Sequence, residues 1–251
     1  MSFFRAVTGL ALLVGLLSRS QWVAAQSPGA AAPAPAAAWA QQHYSQALRV
    51  HPQLYSGPEY LDYARRYSTR VGHQFFLSPE KQPGSVLYNH HHFEGLQLAY
   101  DIVLDQLVLQ HATSPLSLRL INENVESFTL AGHRFIRLVP DSAAAGTLST
   151  GYYEVLVEGP VQLLARRVKQ MQKKLNQDKA YTQFFSMDKL FIRKAGVYYP
   201  VSKKSSVTRL FADRSKEVQR YVQEHKLRFR KARREADIVE LTRYYGSLGP
   251  H

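Results

Sequence analysis

Six short runs of β-forming residues follow one another between residues 84 and 138 of this 251-residue chain. Apolar and polar residues alternate within LSLRLI and VESFTL, which is typical of antiparallel strands with one buried face. Each break between runs carries residues that favour a reversal of the chain, at Asn89-His90, Asp105, Ser114-Pro115, Asn122-Glu123-Asn124 and Ala131-Gly132. This spacing predicts an antiparallel meander.

Two further hairpins and a short helix are predicted on either side of the meander. YYEVLV and VQLLAR flank the turn EGP, and KLFIRK and VYYPVS flank the turn AG. Between these hairpins, residues 169–185 are polar and are compatible with either a helix or a loop. A short helix is expected at residues 58–67, where three residues have helical spacing: Tyr60, Ala64 and Tyr67.

After Val201 the apolar period lengthens to that of a helix. Ser205-Ser206 can cap a short helix that ends near Phe211, and Asp213 can cap a second one. Residues 232–245 carry a third apolar stripe with helical spacing. The chain is therefore predicted to be an α+β protein: an antiparallel sheet of hairpins, open, curved or partly closed into a barrel, followed by C-terminal helices.

The first 25 residues are typical of a signal peptide. Arg5 gives a positive start, the apolar run LALLVGLL is too short to span a bilayer, and Val23-Ala24-Ala25 offers small residues for cleavage. An uncleaved anchor would need about 20 apolar residues, and SRSQ interrupts this run. The chain has no cysteine, which excludes a disulfide, a thiolate site and a lipid on an N-terminal cysteine. We expect export to the periplasm or the exterior, with cleavage near Ala25.

The remaining chain is expected to form three parts. Residues 26–38 are rich in Ala and Pro and predict a linker, residues 39–201 a β-rich domain with a short N-terminal helix, and residues 202–251 a basic helical segment. Charge is distributed unevenly. Residues 27–159 contain 8 Lys and Arg against 11 Asp and Glu, whereas residues 160–251 contain 22 against 8. Such an asymmetry indicates an anionic partner.

The densest basic run is KLRFRKARR, in which six of nine residues are basic. The candidate binding residues are Lys226, Arg228, Phe229, Arg230, Lys231, Arg233 and Arg234. In a cytosolic protein the pattern would indicate nucleic acid, with the phenylalanine available for stacking. Because export separates the chain from nucleic acid, we expect a lipid head group, a glycan or an acidic protein instead. The competing interpretation is a solvated surface, balanced by the pairs Lys231–Glu235 and Arg233–Asp237.

Three consecutive histidines in NHHHFEG, residues 89–95, raise the question of a metal site. On an uninterrupted strand His90, His92 and Glu94 would point the same way, and two histidines at this spacing can bind one zinc ion. A closed zinc site needs three or four ligands. The metal hypothesis therefore draws on His91, His92, Glu94 and Asp101.

A hairpin turn explains the same residues more simply. Asn tolerates the positive φ that a two-residue loop requires, so Asn89-His90 is predicted to form the loop. Strand pairing would then begin between Tyr88 and His91, with a bulge at Gly95. The solvated face of the second strand would carry His92, Glu94, Gln97 and Asp101.

Other catalytic patterns are weaker. Ser186 and Lys189 match S-x-x-K, but the accompanying K-T-G element is missing. Asp101 and Asp105 have the residue type for acid/base chemistry, but an aspartate beside a reversal more often bonds its own backbone. The sequence has no G-x-S-x-G, P-loop or H-E-x-x-H pattern. We expect no cofactor and no catalytic residue.

Three segments resemble a group of exported bacterial proteins to which no function is assigned: YYEVLVEGPVQLLARR, KLFIRKAGVYYPVSKKSSVTRLFADRSKEVQRYVQEHKLRF and READIVELTRYY. The resemblance runs from about Tyr55 to Tyr245 and consists of turns, aromatic residues and a basic tail. Members of the group tend to have Asn-Gly where this chain has Asn89-His90, which agrees with the turn interpretation. The resemblance implies export and contributes no catalytic residue.

Two functional hypotheses follow. The favoured one is an exported, non-enzymatic binding or scaffold module whose basic C-terminal third contacts an anionic envelope component or an acidic protein. The alternative is a metal-assisted hydrolase that uses the region of His91, His92 and Glu94. The concave face of the sheet separates two variants of the first hypothesis, because an apolar cavity would favour a carrier and a filled core a scaffold.

Overall fold

The computed structural model describes residues 52–249 except 142, 143, 145, 177 and 178. The predicted signal peptide and linker therefore lie outside the described residues. Within the part of the chain that is described, no helix combines the length and the apolar character needed to cross a membrane.

Thirteen strands form two sheets in the described residues. In chain order they are β1 (Arg70–Val71), β2 (Gln82–Tyr88), β3 (His91–Asp101), β4 (Gln106–Gln110), β5 (Ser117–Arg119), β6 (Val125–Leu130), β7 (His133–Leu138), β8 (Gly151–Val157), β9 (Val161–Arg166), β10 (Lys169–Asn176), β11 (Lys179–Ser186), β12 (Lys189–Lys194) and β13 (Val197–Val201). Ten of them form one antiparallel sheet in the order β13-β12-β9-β8-β7-β6-β2-β3-β4-β5. The predicted α+β class is confirmed, and the large sheet is open.

The strand order departs from a simple meander at two points. The strands β10 and β11 leave the large sheet between β9 and β12, and the second departure is at β6. Strands β2 to β5 follow one another, but β6 returns to pair with β2 instead of β5. β5 has only three residues, and the 3₁₀ helix Asn122–Asn124 reverses the chain shortly after it. A short strand offers few ladder hydrogen bonds, whereas β2 has seven residues and an edge that β3 does not occupy.

The first half of the large sheet curls around an aromatic core. Tyr100 on β3 and Tyr152 on β8 are four strand spacings apart, about 19 Å in a flat sheet, yet their ring centroids lie 5.7 Å apart. Phe128 and Phe135 stack between them with centroids 4.7 Å apart, and all four rings are buried. Gly84 allows the close approach of β6, because a Cβ there would lie 2.2 Å from a β6 carbonyl oxygen. Side chains fill the concave face.

Three helices cover the second half of the large sheet: α1 (Lys204–Leu210), α2 (Ser215–Glu224) and α3 (Arg234–Ser247). Apolar side chains of β9, β12 and β13 form one buried cluster with those of the helices. The predicted stripe on α3 is present, since Ile238 and Leu241 are fully buried. The predicted cap of α2 is wrong: α2 begins without a side-chain cap, and Asp213 binds Lys194 instead.

The segment that fits either a helix or a loop by sequence is a β-hairpin. β10 and β11 pair in continuous register, and β1 adds a two-residue parallel strand to β11, so these three strands make the small sheet. The sequence of β10, KQMQKKLN, has two large apolar residues, Met171 and Leu175, and both are exposed. A strand without a buried face carries no alternating hydrophobic signal, which explains why periodicity does not reveal it.

The helix predicted at residues 58–67 is wrong. Two 3₁₀ turns, Pro52–Tyr55 and Tyr63–Arg66, flank an extended segment in which Glu59 forms a β-bridge with Leu118. The segment thereby lines the outer edge of β5. Tertiary pairing with β5 outweighs the local helical spacing of three residues: Tyr60, Ala64 and Tyr67.

Candidate anion-binding surface

The most basic stretch of the sequence forms the loop between α2 and α3, residues 225–233, which we name the basic loop. Its side chains alternate between the core and the solvent. Leu227 and Phe229 are 6% and 8% exposed and belong to the buried cluster beneath the helices. The residues beside and between them are exposed: Lys226, Arg228 and Arg230. The loop turns its charges outward because its two apolar side chains are anchored inward.

A buried carboxylate holds the backbone of the basic loop. Asp237, in the first turn of α3, is 3% exposed, and its Oδ2 accepts the backbone N–H of Arg228 at 3.1 Å and that of Phe229 at 2.7 Å. Support is needed because Lys226 and Phe229 both have a φ of 53°, a left-handed conformation that is unfavourable for residues other than glycine. Contacts on the inner side of the loop therefore fix the positions of the outward cations.

The structure corrects two of the predicted binding residues. Phe229 cannot stack on a ligand, because its ring is buried beneath the loop. Arg234 is the first residue of α3 and is half-buried, with its Nε enclosed. The two-residue spacing of Leu227 and Phe229 is the sequence signal that marks both as inward. Five predicted residues are exposed: Lys226, Arg228, Arg230, Lys231 and Arg233.

Carboxylates neutralise few of these five cations. Among the described residues, the one ion pair they form joins Arg233 Nε to Asp237 Oδ1 at 3.6 Å, so that predicted pair is present. Among the described residues, the predicted pair between Lys231 and Glu235 does not form, because Lys231 precedes α3 and Glu235 binds Arg167. Residues 203–249, which we name the helical cap, contain 13 Lys and Arg against 6 Asp and Glu. The cap therefore carries a net positive charge.

Exposed cations also lie on the first two helices of the cap. The carboxylate of Asp213 binds Lys194 of β12 at 2.8 Å, and that of Glu217 lies 3.6 Å from Arg214. These contacts leave several exposed cations of α1 and α2 without an ion pair in the described part of the chain: Lys204, Arg209, Lys216 and Arg220. The basic loop is thus the densest part of a wider positive surface.

A buried arginine connects the helical cap to the sheet. Arg167 is 10% exposed in its side chain; its Nε donates to Glu154 at 2.5 Å, and its terminal nitrogens donate to both oxygens of Glu235 at 2.7 and 2.8 Å. A terminal nitrogen also binds Asp188 at 2.8 Å. Burial alone would lower the pKa of Arg167, but the hydrogen bonds and charges of Glu235 and Glu154 raise it. This cation belongs to the interior and is not part of the exposed positive surface.

The histidine cluster forms the predicted turn. Asn89 and His90 have φ values of 50° and 62°, which a two-residue type I′ loop requires. Tyr88 pairs with His91, and the register of β2 and β3 shifts at the expected bulge, where Gly95 has a φ of 67°. The turn, the register and the bulge are therefore as predicted.

The residues of the metal hypothesis do not come together. His92 Nδ1 lies 3.4 Å from Glu94 with both side chains largely exposed. Asp101 lies at the far end of β3, about 23 Å from Glu94 and about 30 Å from His92 at the rise of a strand. No group of three or more His, Asp or Glu among the described residues is arranged to hold a metal ion. Asp101 also departs from the predicted solvated face, because it is fully buried.

Asp101 acts as a buried hydrogen-bond acceptor. Its carboxylate accepts the hydroxyls of Tyr60 at 2.8 Å and Tyr63 at 3.3 Å, together with two backbone N–H groups of the following turn. Burial raises the pKa of Asp101 even though these hydrogen bonds favour its ionised form. Asp105 binds Arg166 at 2.9 Å instead. Each aspartate has its own partners, and Asp101 bonds the turn as the sequence predicts.

The S-x-x-K match has no structural counterpart. Ser186 ends β11 and Lys189 begins β12, so the two residues lie in different sheets. A serine nucleophile of that type opens a helix, and neither residue is in one.

Comparison with known proteins finds no match: no family model matches the chain, and no curated protein or solved structure is significantly similar to it. The function is therefore inferred from the residues and the geometry of this chain alone.

Proposed function

We propose that the chain is an exported, non-enzymatic binding protein whose helical cap attaches it to an anionic component of the cell envelope. The basic loop carries this proposal. It presents five exposed cations on a backbone that Leu227, Phe229 and Asp237 hold from the inside. The signal-peptide pattern of residues 1–25 supports export.

Clustered cations can localise a protein without an enclosed pocket. Each Lys or Arg near an anionic membrane contributes about 1 kcal/mol, so the five of the basic loop contribute at most about 5 kcal/mol. Three of the five are arginines, whose planar guanidinium groups make two-point contacts with phosphate oxygens. A phosphate-bearing lipid head group therefore suits the basic loop best among the anionic components of an envelope.

The filled aromatic core supports a scaffold over a carrier. The side chains of Tyr100, Phe128, Phe135 and Tyr152 occupy the space that a lipid or small molecule would need on the concave face. Binding is therefore assigned to the outer surface of the helical cap.

Vesicle flotation tests the proposal. The protein should float with vesicles that contain about 30% anionic phospholipid and should not float with zwitterionic vesicles. It should detach at about 1 M salt, where the Debye length falls to about 3 Å. An acidic polysaccharide or an acidic protein is then added as a competitor. Whichever of them binds the protein better than the vesicles do should release it from the vesicles. Failure to bind any of the three at low salt would refute the proposal.

Two matched variants assign the binding to the basic loop. The first replaces three of its exposed cations by glutamine: Arg228, Arg230 and Lys231. The second removes the same charge from the β10–β11 hairpin: Lys173, Lys174 and Lys179. We expect at least a roughly tenfold loss of vesicle partitioning in the first variant and less than about a twofold loss in the second. Equal losses would show that net charge alone attracts the protein and that the basic loop has no special role.

A further inference from the structure

The edges of the two sheets differ in how they are protected from pairing with another chain. In the large sheet, edge strand β5 has three residues and is bridged by Glu59 of the N-terminal segment, and edge strand β13 contains Pro200. Short strands, coverage, proline and charged side chains such as lysine are the usual means of blunting an edge, and β10 has only the last of these. In the small sheet, edge strand β10 has eight residues, no proline and a continuous register with β11. It is the longest edge strand of the two sheets among the described residues.

The direction of the backbone groups of β10 follows from two hydrogen bonds at its start. The N–H of Met187 donates to the carbonyl of Val168 at 2.8 Å, so Val168 and every second residue after it direct their backbone groups toward β11. The N–H of Lys169 points the opposite way and donates to the carbonyl of Ile102. Alternate residues of an antiparallel strand share one direction. The outward groups further along the strand therefore belong to Met171, Lys173 and Leu175.

These outward groups are accessible. All three residues are exposed, Leu175 to 71%, and within the described part of the chain no hydrogen bond reaches their outward N–H or C=O groups. An added strand could therefore satisfy three N–H and three C=O groups along one edge.

Charge decides what kind of strand would be added. Lys173, Lys174 and Lys179 are exposed, and the described residues of β10 and β11 include no Asp or Glu. Pairing of β10 with a second copy of itself would bring the lysines of both copies together, which is unfavourable. Residues 1–51 of this chain contain no Asp or Glu either. An acidic strand from another protein is the complementary occupant.

We propose that the outer edge of β10 is a docking site for an extended acidic segment of a partner protein, which adds a fourth strand to the small sheet. One face of β10 carries Met171, Lys173 and Leu175 in succession, an apolar, basic and apolar pattern. The best segment would set an acidic residue opposite the lysine and apolar residues on either side of it. This surface is separate from the basic loop and does not depend on the function proposed for it.

An eight-residue peptide with blocked termini that repeats the order Val-Thr-Glu-Thr serves as the probe, because alternate residues of a strand share a face and this order sets valine and glutamate in turn on one face. Its binding to the whole protein is measured by fluorescence polarisation, and amide hydrogen exchange is followed by NMR. We expect saturable binding below about 1 mM and slower exchange of the amides of Met171, Lys173 and Leu175. The same peptide with lysine in place of each glutamate should not bind, because it meets the lysines of β10 with like charge.

Two variants at one position separate the backbone from the charge. Lys173→Pro removes an outward N–H without touching the bonds to β11, a placement that edge strands tolerate, and should weaken peptide binding at least about tenfold. Lys173→Gln keeps that N–H and should weaken binding about two- to fivefold, the range of one exposed charge pair. The circular dichroism spectra and the thermal unfolding midpoints of both variants should stay near the wild-type values, which shows that they are folded.

Three results would overturn the proposal. The first is the absence of saturable peptide binding up to about 1 mM. The second is equal binding by the wild type and by the folded Lys173→Pro variant. The third is slow exchange of these three amides in the absence of peptide, with an exchange rate that depends on the protein concentration. This result would show that β10 pairs with a second copy.

Discussion

The two halves of the large sheet bury their cores in different ways. In the first half the strands curl until aromatic rings from distant strands meet, as Tyr100 and Tyr152 do. In the second half the helical cap supplies the apolar side chains that β9, β12 and β13 need. A sheet that curls around its own side chains needs no second layer, whereas helices that pack on a sheet expose their outer face to solvent. Positive charge can therefore accumulate on the helical cap without disturbing either core.

The aromatic core should be the part of the molecule least tolerant of substitution. Phe128→Ala removes the ring that contacts Tyr100, Phe135 and Tyr152, and should lower the free energy of unfolding by about 4 kcal/mol. Urea denaturation measures the loss. Leu175→Ala, on the exposed strand β10, should change it by less than about 0.5 kcal/mol. A loss below about 1 kcal/mol for Phe128→Ala would show that the curl does not depend on these rings.

The junction between sheet and cap should come next in sensitivity. Arg167→Met leaves Glu154, whose side chain is 4% exposed, without its main cation, and should cost about 3 kcal/mol of unfolding free energy. Arg134→Gln breaks an exposed pair with Glu158 and should cost less than about 1 kcal/mol. Denaturation followed by circular dichroism measures the free energy of unfolding of both variants. Equal costs would mean that the cap is held by its apolar contacts alone.

Asp101 should connect stability to pH. Because burial raises its pKa, the folded protein takes up this proton at a higher pH than the unfolded chain does. The free energy of unfolding of the wild type, relative to that of Asp101→Asn, should therefore increase as the pH falls through the raised pKa, which lies above the usual range of an aspartate. It should decrease as the pH rises through the same pKa. The substitution should cost about 2 kcal/mol, because Asn supplies one acceptor oxygen to four donors. A difference that does not change with pH would contradict this assignment.

The smallest effect is expected at the β2–β3 turn. His90→Gly relieves a left-handed residue with a φ of 62° but loses an exposed contact with Glu126. The net result should be a gain of about 0.5 kcal/mol in unfolding free energy. Thermal unfolding provides the measurement, and His90→Ala, which loses the same contact and keeps the unfavourable φ, is the control. A loss of stability in the glycine variant would show that the contact with Glu126 dominates.

The sequence predicts the elements of this fold that depend on local patterns. Alternation of apolar residues identifies the strands of the large sheet, and the residue types at Asn89-His90 identify the turn together with the register that follows from it. The apolar stripe that contains Ile238 and Leu241 identifies α3.

Features that depend on distant contacts are not predicted by these patterns. The return of β6 to β2 and the curl around Tyr100 arise from packing between strands far apart in sequence. Asp101 has the residue type of a solvated turn, and its burial follows from the hydroxyls of Tyr60 and Tyr63, about forty residues away. In the candidate site, the charge of the basic loop and the two-residue spacing of Leu227 and Phe229 are visible in the sequence, but the cluster beneath the helices that both side chains enter is not.

Arginine-specific chemical footprinting tests the central claim most directly, because it reports which side chains an anionic surface covers. Arg228 and Arg230 are compared with Arg119, an exposed arginine on β5 in the other half of the sheet. On anionic vesicles at low salt, modification of Arg228 and Arg230 should fall at least about fivefold, while that of Arg119 should be unchanged. Unchanged modification of Arg228 and Arg230 on the bound protein, or equal protection of Arg119, would contradict the account.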